Sequence, residues 1–234
     1  MSDAPSPDRG PGAGEPAAPA GSGPLLALLA RGLELWLRQQ CQAIEEVQIE
    51  LEGSAAQLMR GRLEGVRLRA RRVLFQQLEI ERVELRSEPL QVRMGALLRR
   101  QSLQLEHPFR IEGAVAFSAE GLSRSLCTPP WSALGDALAE ELLGLAPLAG
   151  LRIEGDCLLL RSHAIASGRP LERRSRVRSE DGTVVLQLEP QEGDDPAPPG
   201  GRQARLPMDA NIRIVQAEIG GGQLELRGEA RVSP

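Results

Sequence analysis

The feature that most constrains the fold is an alternation of apolar and charged side chains, clearest in residues 61–85, "GRLEGVRLRARRVLFQQLEIERVEL". In an extended strand, Val66, Leu68 and Ala70 share one face and the intervening arginines share the other. After Arg72 the alternation shifts by one residue, which is typical of a β-bulge and adds bend and twist. The stretch therefore predicts a curved strand with one buried face and an arginine-rich solvent face.

Similar alternation recurs along the chain and predicts several long antiparallel strands. Residues 103–117, "LQLEHPFRIEGAVAF", form an apolar stripe of one parity, about 50 Å long at ~3.3 Å per residue. Pro108 and Gly113 interrupt this stripe, as expected of an edge strand or a bend. The other candidates are residues 47–51, "GLRIEGDCLLLRSHAI", "ERRSRVRSE", "GTVVLQLE", "NIRIVQAEI" and "GQLELRGEARV", with turns at "EDG" and "IGGGQ".

Residues 24–44 have helical spacing. Apolar side chains recur every three or four residues, and Glu34 and Arg38 form an i,i+4 pair on the opposite side. The apolar sector is wider than a simple surface helix needs, so the helix either lies on a membrane or packs across a sheet. Its polar side mixes both charge signs, whereas membrane-surface helices usually have a basic polar side, which favours packing on a sheet.

Further helical segments interrupt the strands. "SAEGLSRSL" begins with Ser118 as a candidate N-cap, and residues 128–145 repeat the helical spacing up to Gly144, a candidate helix end. A short turn is predicted between Ser54 and Gly61, and a third helical piece at "MGALLRR" from Met94.

The composition argues against several classes of function. The 28 basic residues are all arginine and are outnumbered by 32 acidic residues, which is unlike a general nucleic-acid binder. Aromatic side chains are few and tyrosine is absent, so stacking platforms for bases are hard to build. The three cysteines and two histidines lack metal-ligand spacing, and no cofactor is predicted. No nucleophile elbow, phosphate loop or dinucleotide fingerprint occurs, so the sequence predicts no enzymatic activity.

The ends and linkers predict the domain organisation. Residues 1–23 are rich in Pro, Gly and Ala without an apolar core, which predicts a disordered leader rather than a signal peptide. Residues 24–234 are expected to form a single domain, with a flexible acidic loop at 191–201. No run reaches the ~18 apolar residues of a membrane span. We expect a location in the cytoplasm or on the inner face of a membrane.

Four segments in a fixed order carry a resemblance to a known family. They are "LMRGRLEGVRLRARRVLFQQLEIERVEL", "VRMGALLRRQSLQLEHPFRIEGAVAFSAEGLSRSL", "PLAGLRIEGDCLLLRS" and "LPMDANIRI" followed by a Gly-rich hairpin. From Leu25 to its end, the chain resembles the bacterial LmeA-like phospholipid-binding family, most of all its cyanobacterial branch. The resemblance implies a fold related to the tubular lipid-binding (TULIP) proteins, in which a strongly curved antiparallel sheet wraps around a helix and encloses an apolar groove. It also implies binding of acidic phospholipids, a role in envelope lipid homeostasis, and no catalytic residues.

Pattern and resemblance together predict an α+β fold, with a long, strongly curved antiparallel sheet wrapped around one or two amphipathic helices. The ligand is expected to be a phospholipid or another acyl lipid, with possible contact to a membrane surface. The side chains predicted to contact acyl chains are Leu33, Trp36, Leu37, Leu68, Phe75, Phe109, Ile111, Val115, Phe117 and Leu138. The candidates for contact with a lipid headgroup are Arg99, Arg100, Arg173 and Arg174. The alternative is that these arginines only line the solvent-exposed faces of strands.

An alternative from another class is an interaction or scaffold module whose curved sheet is filled by its own helices. Deleting residues 1–45 separates the two cases in part, because a docking helix can be removed without unfolding the domain and a core helix cannot.

Overall fold

The computed structural model describes residues 23–91, 107–163, 170–191 and 201–233. The helices in these ranges are α1 (Pro24–Gln40), α2 (Ala55–Met59), α3 (Ala119–Leu126) and α4 (Ser132–Leu143). The strands are β1 (Ala43–Glu52), β2 (Arg62–Leu63), β3 (Gly65–Phe75), β4 (Leu78–Ser87), β5 (Leu90–Gln91), β6 (Phe109–Ser118), β7 (Leu148–Glu154), β8 (Cys157–Ser162), β9 (Leu171–Glu180), β10 (Thr183–Leu188), β11 (Gln203–Arg205), β12 (Ile212–Gly220) and β13 (Gln223–Val232).

The described strands pair only in antiparallel fashion, and the α+β prediction is confirmed. A six-stranded sheet has the order β1-β3-β4-β6-β13-β12, a five-stranded sheet has the order β11-β10-β9-β8-β7, and β2 pairs with β5. Both large sheets are curved and open. They meet at β12, where Ile214 N donates to Gly182 O at 2.8 Å and Ser179 Oγ donates to Val215 O at 2.7 Å.

Residues 61–85 form two long strands rather than one extended run. Strands β3 and β4 are joined through Gln76 and Gln77, whose φ angles are 47° and 65°. Two successive positive φ angles are typical of a two-residue hairpin turn, which usually has Asn-Gly. The glutamines give no such signal, so the turn could not be recognised from the sequence.

The shift of the apolar alternation in β3 is confirmed, but its interpretation as a bulge is wrong. Arg72 has a φ of 48°, yet β3 keeps one register with β1 and with β4 on both sides of it. Glu45 in β1 and Glu81 in β4 lie at the same level, and their strands shift their alternation there too. Each of the three neighbouring strands has one additional residue at this level, namely Glu45, Arg72 and Glu81. The strands therefore change alternation together and keep their register.

Strand β6 lies inside the six-stranded sheet, so its interpretation as an edge strand is wrong. It begins at Phe109, directly after Pro108, and pairs with β4 and β13. Gly113 pairs with Gly228 of β13. A Cβ on Gly113 would lie 2.2 Å from Glu84 O, and one on Gly228 would lie 2.3 Å from Arg213 O. Both positions require glycine because neighbouring strands approach so closely.

Several predicted helix ends and turns are confirmed. Ser118 Oγ accepts a hydrogen bond from Gly121 N at the start of α3, and Gly144 ends α4 with a φ of 72°. Helix α4 begins later than predicted, at Ser132 rather than at residue 128, because Pro129 and Pro130 precede it. The predicted hairpins lie at Asp181–Gly182 and Gly221–Gly222, and Ser54 starts α2 with a capping box. The predicted helical piece from residue 94, the loop at 192–200 and residues 1–22 lie outside the described residues.

The main hydrophobic core joins both large sheets. It is formed by α3, α4, the inner face of the five-stranded sheet and the ends of β6, β12 and β13. Its most completely buried members include Ala139, Leu142, Leu160 and Val184. A separate cluster forms at the other end of the six-stranded sheet, where Leu26 of α1 packs with Leu58, Leu63 and Leu90.

Helix α1 lies along the free edge of β1. Glu34 Oε1 accepts a hydrogen bond from Ile49 N at 3.2 Å, and Arg38 Nη1 donates to Ile44 O at 2.8 Å. Both contacts satisfy backbone groups of an edge strand, which would otherwise be open to pairing with another chain. The predicted packing of this helix on the sheet is confirmed.

Candidate functional site

One face of the six-stranded sheet is aliphatic across its central strands. Leu68, Leu85, Gly113 and Gly228 follow one another across β3, β4, β6 and β13. The level beside them has Ala70, Val83, Val115 and Leu226. We call the half-buried members of this surface, together with Ile111, the aliphatic face: Leu68, Leu85, Ile111, Val115 and Leu226.

The aliphatic face lies between two regions that are closed by the chain's own side chains. At one end the Leu26 cluster covers Val66 and Phe109, and at the other the main core begins at Phe117. Between them, Ala70, Val73 and Val83 form a third buried cluster, against which Leu68, Leu85 and Val115 pack. The members of the aliphatic face themselves keep partial access to solvent. This arrangement can hold an apolar ligand, because half-exposed aliphatic side chains gain free energy when a hydrocarbon displaces water from them.

The structure brings only some of the predicted acyl-contact residues together. Leu68, Ile111 and Val115 share the aliphatic face, while Leu33 and Leu37 are half-buried on the inward side of α1. Phe109 is half-buried and packs with the Leu26 cluster.

Four of these residues lie elsewhere. Phe117 and Leu138 belong to the main core, where they are 8% and 6% exposed. Phe75 is exposed beside the β3–β4 turn, and Trp36 is 56% exposed on the outer side of α1. Sequence parity identifies which face a side chain occupies, but not which element covers that face.

The headgroup candidates are not assembled on the aliphatic face in the described part of the chain. Arg173 and Arg174 lie on β9, in the five-stranded sheet. Arg174 is engaged by Glu154 at 3.5 Å and Glu189 at 3.3 Å. Arg99 and Arg100 lie outside the described residues.

The opposite face of the six-stranded sheet has arginines and glutamates that form ion pairs between strands. Arg67 pairs with Glu52 at 2.7 Å, and Arg82 pairs with Glu225 at 3.1 Å. An open cavity of about 760 Å³ lies over this face. Its charged lining residues are Arg67, Arg69, Arg82, Arg86, Arg227, Glu84, Glu112, Glu225 and Glu229. The arginine-rich side of residues 61–85 is therefore paired with carboxylates, and its solvent-facing interpretation is confirmed.

Sequence reasoning missed Leu85 and Leu226 as members of the aliphatic face. Leu85 was hidden because the β3–β4 turn was not recognised. Leu226 has the right parity within "GQLELRGEARV", but its position beside Val115 depends on the pairing of β13 with β6. That pairing joins residues more than a hundred positions apart, and local periodicity contains no signal for it.

The perturbed ionisable groups in the described residues are structural. The hydrogen bond from Arg124 holds the pKa of Glu79 below its usual value, since Arg124 Nε lies 2.7 Å from Glu79 Oε1. The hydrogen bond from Arg178 lowers the pKa of Glu180 in the same way. Burial raises the pKa of the Cys157 thiol, which keeps it protonated and unreactive at neutral pH. The described residues include no group of His, Cys, Asp and Glu side chains suited to hold a metal ion.

No curated protein and no solved structure matches the chain significantly. Among the described helices, none is both long and apolar enough to cross a membrane. The sequence model of the LmeA-like phospholipid-binding family matches residues 20–229, which includes α1, the aliphatic face and all but the last three residues of the two large sheets. The chain belongs to the LmeA-like phospholipid-binding family.

Proposed function

We propose that the protein binds an acidic phospholipid without catalysing a reaction, and that it contributes to membrane or envelope lipid homeostasis by carrying or sensing that lipid. The observation that carries this proposal is the aliphatic face, which is half-buried between two closed hydrophobic clusters. Membership of a phospholipid-binding family supports a lipid as the ligand.

In this proposal, acyl chains lie on the aliphatic face under the inward side of α1. Leu68, Ile111 and Val115 form the contact on the sheet, and Leu33 and Leu37 form it on the helix. Each buried methylene contributes ~0.8 kcal/mol, so a chain of ordinary length supplies enough free energy for stable binding. A ligand enters this space by a displacement of α1, whose one fully buried side chain is Leu26.

Arg99 and Arg100 are the proposed headgroup contacts. Arginine forks match the oxygens of a phosphate, which accounts for a preference for acidic lipids. Arg174 is a weaker candidate because Glu154 and Glu189 already occupy its guanidinium.

Native mass spectrometry of the purified protein, with lipid analysis of the same sample, tests the proposal. We expect a stoichiometric mass increment that corresponds to phospholipid. Ile111→Trp and Leu226→Trp fill the aliphatic face and should reduce lipid occupancy several-fold while circular dichroism stays unchanged. Val215→Trp is the matched control, since Val215 is 65% exposed on a different surface.

The headgroup is tested in the same experiment. Arg99→Gln with Arg100→Gln should lower the share of acidic lipid in the bound fraction, whereas Arg174→Gln should not. A protein that stays lipid-free after incubation with acidic vesicles contradicts the proposal.

That result would favour the alternative of an interaction or scaffold module. The specific observation in its favour is the main core, where Phe117 and Leu138 are sealed by the chain's own side chains. In that case protein partners should be sought on the sheet surfaces and on α1.

We further propose that the protein works in the cytoplasm or on the inner face of a membrane. Its three cysteines, Cys41, Cys127 and Cys157, are all free thiols, which suits a reducing compartment.

A further inference from the structure

Helix α1 has apolar side chains on its outer side as well as on the side that packs against the sheet. Leu28, Leu35 and Trp36 are 70%, 64% and 56% exposed. Of the seven large apolar side chains that are strongly exposed in the described part of the chain, three lie on this helix. Single exposed apolar residues are normal, but a concentration on one element indicates a contact surface.

The charges of α1 are also sorted between its two sides. Its single carboxylate, Glu34, turns toward β1 and accepts the hydrogen bond from Ile49 N. Arg31 is exposed and shares the side of Leu28 and Leu35 by helical spacing, whereas Arg38 turns toward β1, where it donates to Ile44 O. The outer side is therefore apolar with one basic side chain, Arg31, while the charges of both signs at Glu34 and Arg38 lie at β1.

Helix α2 lies beside the start of α1 and also has exposed apolar and basic side chains. Gly23, at the start of α1, lies beside Ala55 of α2. Met59 of α2 is 64% exposed, and Arg60 and Arg62 follow it as exposed basic residues. No acidic residue lies between Ser54 and Gly61.

We propose that the outer side of α1 docks on the surface of a bilayer that contains anionic lipid. This inference rests on the proposed function, since a phospholipid-binding protein must take its ligand from a bilayer. Leucine and tryptophan insert at the boundary of headgroups and acyl chains, and arginines beside them meet lipid phosphates. Pairing of this side with a second copy is less favourable, because a two-fold contact would bring Arg31 close to its own equivalent.

Vesicle binding of the full chain tests the proposal. The probes are vesicles of equal parts phosphatidylglycerol and phosphatidylcholine, compared with phosphatidylcholine alone. In a Trp131→Phe background, Trp36 is the remaining tryptophan, and its emission should shift to shorter wavelength on binding. Leu28→Gln/Leu35→Gln/Trp36→Gln should weaken vesicle affinity at least about ten-fold, as measured by co-flotation.

Two further variants separate the contributions. Arg31→Gln should weaken binding to the anionic vesicles about five-fold and leave binding to pure phosphatidylcholine unchanged. Val215→Gln removes an equally exposed apolar side chain from β12 and should have no effect.

The outcomes distinguish this inference from the proposed function. Loss of vesicle binding in the triple variant, with co-purified lipid still present at wild-type stoichiometry, supports the docking surface. Vesicle binding at wild-type affinity in the triple variant overturns the docking surface and leaves the proposed lipid binding intact. The same conclusion follows if the wild type contains lipid but binds neither vesicle type. A wild type that holds no lipid yet binds vesicles through α1 removes the proposed function and keeps the docking surface.

Discussion

At the scale of single residues, the β3–β4 turn offers a stability gain. Gln76 and Gln77 both adopt positive φ, which costs a side chain about 1–2 kcal/mol relative to an allowed region. The turn's other contacts use backbone atoms: Trp131 Nε1 donates to Gln76 O, and Gln77 N donates to Gln42 Oε1. Gln76→Asn with Gln77→Gly keeps both contacts and should raise the free energy of unfolding by about 1 kcal/mol.

Thermal unfolding checks this prediction, with a rise in Tm of about 2–4 °C expected for a chain of this size. Gln48→Gly, in the exposed face of β1, is the control and should lower Tm instead, because glycine weakens a strand interior. An equal decrease of Tm in the turn variant and in Gln48→Gly would mean that the turn glutamines are not strained.

The Glu79–Arg124 pair predicts a pH dependence of stability. Arg124 lowers the pKa of Glu79 in the folded state below the ~4.3 of an unfolded glutamate. The pair's contribution is therefore fully present above the unfolded pKa and is lost as the pH falls through the lowered folded value. The side chains are 36% and 63% exposed, so solvent screening keeps the pair's contribution small.

A double-mutant cycle of Glu79→Gln and Arg124→Gln, followed by urea unfolding, measures this coupling. It should be fully present at pH 7 and decrease as the pH falls through the lowered folded pKa of Glu79. Coupling that does not change over this range of pH would show that the ion pair is not its source.

Residue chemistry also explains which local features the sequence predicts. Ser118, Gly144 and the Asp181–Gly182 turn are recognisable because each has the side chain that its backbone geometry favours. Gln76 and Gln77 are not, since the tertiary contacts of the hairpin override their local preference.

At the scale of elements, α1 is both part of the fold and a cover for the edge of β1. Removing residues 1–41 would expose Leu58, Leu63 and Leu90 and free the backbone groups that Glu34 and Arg38 satisfy. We expect this variant to associate through β1 or to aggregate, as measured by size-exclusion chromatography with light scattering.

The full chain carrying Leu28→Gln and Leu35→Gln is the control, and it should stay folded with the oligomeric state of the wild type. A truncated protein that unfolds cooperatively at the wild-type Tm would mean that α1 only docks on the domain.

Periodicity predicts the elements better than their surroundings. The spacing of residues 24–44 predicts a helix packed on a sheet, which is confirmed. It does not predict that Glu34 turns inward, because that depends on a hydrogen bond to Ile49, fifteen residues away.

At the scale of the whole molecule, the arrangement of strands decides the candidate site. The aliphatic face exists because β13 returns from the end of the chain to pair with β6. The family resemblance predicts a curved sheet, but the local pattern does not contain this order. The prediction of a single domain over residues 24–234 is supported by the main core, which includes residues of both large sheets. It stays a prediction.

The matched shift of β1, β3 and β4 has a consequence for how the sequence can change over generations. Loss of Arg72 alone would turn Val73 to the solvent side while its neighbours Ile44 and Ile80 stayed on the inner side. The same holds for loss of Glu45 or Glu81 alone. Homologous chains should therefore keep all three positions or gain or lose them together. In an alignment, insertions and deletions at the three positions should be correlated.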